Sequence, residues 1–214
     1  NYLKIETYLF LVINKKHKIL GEYLSLIVMT CITIMAIYSK QITVFYIIYL
    51  FWCDEFLKTI FDGLRYRFKK EQIQNPTNYI LNIKNRFFML LIYLVFIIVC
   101  FGLILDWNNT DLILGNFEVF FFKNTLFNIS LITFLLREIY LYKNNQLILN
   151  SHHLLSSGII TLHISLILGI MLSFLIKKEF VVFENYVAVF AIIPFLLLKL
   201  YFEIQEIKYN SKEA

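Results

Sequence analysis

The sequence predicts an all-α membrane protein, a bundle of six transmembrane helices with both termini cytoplasmic and a short interfacial helix at its start. Three observations predict it. The 214 residues are 59% hydrophobic and only 16% charged, against about 45–50% and about 25% in soluble domains. The mean hydropathy is +0.69, and six Gly and two Pro leave little material for loops. Unbroken apolar runs such as FFMLLIYLVFIIVCFGLIL replace the short alternating segments of a transmembrane β-barrel.

Residues 1–19 read as an interfacial amphipathic segment. Within it, Tyr8 to Ile13 is too short for a signal h-region and runs into Lys15, Lys16 and Lys18, so no cleavable signal is expected. The transmembrane domain covers 20–204. Its spans are about 20–38, 42–64, 87–105, 117–136, 158–176 and 180–201, each near the ~20 residues that cross the hydrocarbon layer. Between them lie a short link near Lys40, a basic loop over 65–86 broken by Asn75-Pro76, and an acidic loop over 106–116. A polar loop containing His152-His153 and a tight turn at Lys177-Lys178-Glu179 follow. Residues 205–214 form a charged cytoplasmic tail. There is no second domain and no internal repeat.

Orientation follows from Lys and Arg. Six spans put Lys4, Lys15, Lys16, Lys18, Arg65, Arg67, Lys69, Lys70, Lys84, Arg86, Arg137, Lys143, Lys208 and Lys212 on one side. Only Lys40, Lys177 and Lys178 fall on the other, so both termini are expected inside. The same placement accounts for the net charge of +5 without nucleic acid as a partner. Cys31, Cys53 and Cys100 sit in separate apolar segments with no CxxC or Cys/His spacing and read as buried side chains, so no metal and no cofactor are expected. His152-His153 is a weak metal candidate beside the membrane.

The stretch WCDEFLKTIFDGLRYR, Trp52 to Arg67, breaks the apolar pattern. Ionisable groups in a span are costly and mark a function or a partner. Asp54, Lys58 and Asp62 are four apart, and Glu55, Lys58 and Asp62 share a stripe that Arg65 extends, so a self-paired helix end is the plain reading. Counting depth along the spans adds Glu138, His163 and Lys199 to one cytoplasmic-half polar layer with these residues. His163 is expected to be buried and bonded to a carboxylate or hydroxyl across helices; a proton relay with Glu55 is the sharper alternative. Lys199 can pair with Glu203, and Pro194 is expected to kink the last span. Ser157, Thr161, Ser165, Gly169 and Ser173 recur every fourth residue, a small-residue packing stripe with His163 on the opposite face. That opposite face is expected to meet the charged helix or an oligomer partner.

No GxSxG, HExxH, phosphate-binding Gly loop or DxxxD array is present, which disfavours an enzyme. The sequence therefore favours a non-enzymatic membrane component acting through self-association, as a homo-oligomer, or through a membrane-protein partner, with the lipid bilayer around it. A proton- or ion-coupled pore or carrier lined by Glu55, His163 and Lys199 is the alternative. An embedded enzyme using Asp54 or Glu55 with His163 as an acid–base pair is the second alternative.

Two blocks, Tyr49-Leu-Phe-Trp52 leading through Glu55 to Leu64-Arg65, and Leu162-His163-Ile164 through Gly169, are joined by a near-terminal Lys199. With these the chain resembles a family of uncharacterised bacterial polytopic membrane proteins, catalogued only as a domain of unknown function. In that family an aromatic-Trp-x-Glu segment lies in the second helix and a Leu-His segment in the fifth. Either Asp54 or Glu55 matches the acid. The resemblance implies a shared six-helix fold and supplies no activity; the expected location is the bacterial cytoplasmic, or cell inner, membrane.

Overall fold

A computed structural model describes residues 2–39, 42–105, 107–144, 156–179 and 187–212, with side chains over 20–39, 42–105, 107–143, 156–172, 192–205 and 207–208. Among the described residues the chain is helical, with no β-strand. Helix α1 is Tyr2–Tyr38, α2 Val44–Phe68, α3 Pro76–Phe96, α4 Thr110–Phe120, α5 Thr125–Asn144, α6 Ser157–Glu179 and α7 Val187–Lys212. A 3-10 turn, Lys70–Gln72, follows α2, and α3 continues as a wider π-type helix over Ile97–Ile104. Three stretches, Leu20–Tyr38, Pro76–Ile104 and Thr110–Lys143, are long and apolar enough to cross a membrane, and Ser157–Leu172 is a shorter apolar helix. The protein is an all-helical membrane protein.

Helix α2 is the hub. It packs on α3, the π segment, α5, α6 and α7, and touches α4. All of residues 45–55 are buried. A helix apolar all round can be covered on every side, and 45–53 have that character. Its aromatic residues form a ladder, Phe45 on Tyr49 at 5.4 Å, Tyr49 on Trp52 at 5.7 Å and Trp52 on Phe56 at 4.8 Å between ring centroids. Trp52 Nε1 donates to the Leu90 carbonyl at 2.7 Å, which satisfies the buried indole and fixes α2 against α3.

One end of the hub is tied by amides and hydroxyls. Thr43 caps α2, accepting from Tyr46 N at 3.1 Å, and its hydroxyl donates to Asn116 Oδ1 at 2.8 Å. Asn116 Nδ2 in turn donates to the Phe101 carbonyl in the π segment at 3.2 Å. One side chain thus joins the start of α2, the end of α3 and α4.

Several expectations are corrected. Most of the basic loop over 65–86 is helix, because α2 runs on to Phe68, Asn75 caps α3 through Asn78 N at 3.2 Å and Pro76 occupies its first turn. The fourth expected span is broken at 121–124, where Phe122 has φ 59°; Asn128 Nδ2 holds the Phe122 carbonyl at 2.7 Å and Asn124 caps α5 through Phe127 N at 3.0 Å. Half of the expected 106–116 loop belongs to α4, capped by Asn109. Lys177-Lys178-Glu179 lies inside α6 rather than forming a turn. Helix α1 runs without interruption through 19–20, where an interfacial segment was expected to end, and α7 runs through Pro194. The side chains of 2–19, all of 145–155 and residues 180–186 lie outside the described residues.

Lipid tails are as apolar as Leu, so helices associate here by close packing and polar contacts rather than by hydrophobic transfer. Gly169 shows the close packing: a Cβ there would lie 2.5 Å from Phe101 Cε1 and 3.2 Å from Ile48 Cδ1. Gly169→Val should therefore lower the thermal unfolding midpoint in mild detergent clearly, an overpacking loss of about 1–3 kcal/mol. Gly115→Ala, with nothing within 4 Å of the added carbon, should hold or raise the midpoint by up to about 1 kcal/mol of helix propensity.

Candidate functional site: an internal ion network

Asp54 lies ten residues into α2, ~15 Å from its start, so the charged stretch begins near the middle of the hub. The surrounding helices bring counter-ions to it. Asp54 Oδ1 accepts from Arg137 Nη2 of α5 at 2.5 Å, and Oδ2 from Lys199 Nζ of α7 at 2.7 Å. Lys58 Nζ lies 2.8 Å from Glu55 Oε1 and 3.3 Å from Asp54 Oδ2. Glu55 Oε2 accepts from Arg86 Nη2 of α3 at 2.9 Å. Lys199 also reaches Glu203 at 2.6 Å, and Arg137 reaches Glu138 at 3.0 Å. Glu138 Oε2 lies 3.5 Å from Arg65, and Arg65 is 2.9 Å from Asp62.

Among the described residues the result is one connected set of five acids (Asp54, Glu55, Asp62, Glu138, Glu203) and five bases (Lys58, Arg65, Arg86, Arg137, Lys199) on four helices. Its formal charge is zero. All of its members except Glu203 are buried, and the Glu203 side chain is only 13% exposed. Neutral hydrogen bonders complete the rim: Arg86 Nε donates to Thr59 Oγ1 at 3.1 Å, and Tyr79 Oη lies 3.5 Å from Asp62.

Helix α6 enters at the same place. Its first residues abut Glu55: Ser156 Oγ lies 3.5 Å from Glu55 Oε2 and 3.4 Å from Ile159 N. A Cβ built on Gly158 would overlap the Glu55 carboxylate, so glycine is required for the approach. The positive end of the α6 dipole thereby faces a carboxylate, a favourable arrangement.

Of the residues singled out in the sequence, Asp54, Glu55, Lys58, Asp62, Glu138 and Lys199 come together. His163 does not join them. It is exposed on α6, with Nδ1 3.1 Å from Tyr93 Oη and the rings 5.9 Å apart. The expected encounter of the His face with the charged helix is corrected: Gly158 and Gly169 put the small-residue face of α6 on α2, because only that face allows close approach. Thr161, Ser165 and Gly169 are buried on it and Ser157 is half-buried. The Ser173 side chain and His152-His153 lie outside the described residues. Among the described residues no group of three His, Cys, Asp or Glu is placed to hold a metal.

Arg86 was counted as a loop cation and Arg137 as the cytoplasmic close of the fourth span, yet both are central. Arg86 falls in phase with buried Tyr79, Ile83, Leu90, Tyr93 and Ile97, and Arg137 with Phe127, Ser130, Phe134 and Leu141. The 3–4 spacing of those apolar stripes was the signal for both. Comparison with protein-family profiles, with curated proteins and with solved structures finds no match to this chain.

Chemically, every carboxylate of the network faces a cation, so the arrangement suits cohesion. Removing one partner leaves an uncompensated buried charge. Asp54→Asn should destabilise by about 3–5 kcal/mol, read as lost folded yield and a lowered midpoint. A cycle of Glu55→Gln and Arg86→Met should show the double variant more stable than the summed single losses by about 0.5–3 kcal/mol; additive losses would mean that the pair does not interact.

Proposed function

We propose that the chain is a six-span, non-enzymatic component of the bacterial cytoplasmic membrane, with both termini inside, that works through association with itself or with another membrane protein. The single observation that carries the non-enzymatic reading is the neutral, buried ion network. Glu55 and Lys199, the groups a carrier would need free, are each held by charged neighbours at 2.7–2.9 Å. The acid–base pair an enzyme would need finds no support either, since Glu55 bonds Arg86 and Lys58 while His163 bonds Tyr93.

The six-span reading is supported by helix over the described parts of all six apolar stretches, with a break in the fourth. The inside placement of the termini is supported by the Lys and Arg distribution, now without Arg65, Arg86 and Arg137, which the network absorbs. The bacterial setting rests on the family resemblance. Association is supported by His163, an ionisable side chain exposed on the outer face of α6 beside exposed Ile167 and Met171. A polar group at this position gains from a protein partner more than from lipid.

Native mass spectrometry of the protein released from nanodiscs tests this reading. The expected result is a homo-oligomer or a co-purifying membrane subunit, weakened by His163→Leu. A monomer without any retained subunit would overturn it, as would proton flux through liposomes that Glu55→Gln abolishes.

A further inference from the structure

The network sums to zero, so the whole net charge of +5 lies outside it. One concentration of that excess is the corner where α2 and α5 end. Arg67, Lys70 and Lys143 are exposed there. Lys69 Nζ donates to the Tyr142 carbonyl at 2.6 Å, which ties the two helix ends together one residue before Lys143.

The cations at this corner differ in kind from Arg65, just before them on α2. Arg65 has Asp62 and Glu138 as partners. Lys69 is spent on Tyr142, lying 4.5 Å over its ring as well, and its burial, then the nearby Arg65, hold its pKa below the ordinary lysine value. Arg67 and Lys70 instead lie over aromatic rings, Arg67 at 5.8 Å from Phe68 and Lys70 at 5.6 Å from Tyr66. Phe68 is 66% exposed between them. Glu71 is the exposed acid in the adjoining turn. Cations on aromatic rings beside a projecting Phe suit the polar–apolar boundary of a bilayer, with the ring in the acyl region and the charges at phosphate level.

We propose that this corner is a docking site for anionic phospholipid headgroups, with Arg67, Lys70 and Lys143 facing the phosphate and Phe68 seated in the acyl layer. The site requires neither a particular orientation of the chain nor any oligomeric state. Each basic residue at an anionic membrane surface contributes about a five-fold preference.

The test uses the full chain in nanodiscs of phosphatidylcholine mixed with phosphatidylglycerol, with lipids retained on the released protein counted by native mass spectrometry. Wild type should retain phosphatidylglycerol in preference to phosphatidylcholine. Arg67→Gln with Lys70→Gln should lower that retention roughly ten-fold or more at an unchanged unfolding midpoint, and Phe68→Ala should lower it by a smaller factor. Lys84→Gln with Lys123→Gln removes the same charge elsewhere and should leave retention within about two-fold of wild type. Equal retention of the two lipids by wild type, or an equal loss in both charge pairs, would overturn the proposal. Displacement of phosphatidylglycerol by excess inorganic phosphate would reassign the corner to a free-anion site.

Discussion

The contact on which the fold depends is Asp54 between Arg137 and Lys199. It joins three helices that no short loop connects, and it lies in the middle of the most enclosed helix in the described structure. A charge there is tolerable only with close counter-ions in good geometry. That constraint dictates which faces α5 and α7 turn inward. The apolar ladder of α2 supplies packing, but packing in lipid selects few unique arrangements. The ion pairs supply the register: Lys199 must be level with Asp54, and Arg86 with Glu55.

The same economy appears in small residues. Gly158 lets a helix start meet a carboxylate, and Gly169 lets that helix lie on Ile48 and Phe101. Between these two points α6 follows α2 closely. The polar ties at one end of α2, through Thr43 and Asn116, and at the other, through Lys69 and Tyr142, close the bundle at both ends.

Much of this was legible in the sequence. Apolar run length pointed to the helices, and the depth of charges pointed to Asp54, Glu55, Lys58, Asp62, Glu138 and Lys199. The small-residue spacing identified the packing face of α6. What was not legible has physical causes. Arg86 and Arg137 stand at the edges of apolar runs, where a cation ordinarily snorkels to water; only their phase within the buried stripes separates them from loop charges. His163 matched the network in depth but not in azimuth, and depth alone carries no information about which way a helix face points. The break at Phe122 depends on a left-handed backbone held by Asn128, a tertiary bond with no strong local signal beyond the Asn residues themselves.

The wiring of α2 also bears on biogenesis. An Asp or Lys near the middle of a nascent helix opposes entry into the bilayer by about 2.5–3.5 kcal/mol each. Asp54 waits for Lys199, which is synthesised 145 residues later. At about 5–20 residues per second this is an interval of roughly 7–30 s. During that time Lys58 is the counter-ion already beside Asp54, Arg86 and Arg137 follow in turn, and Lys199 completes the set last.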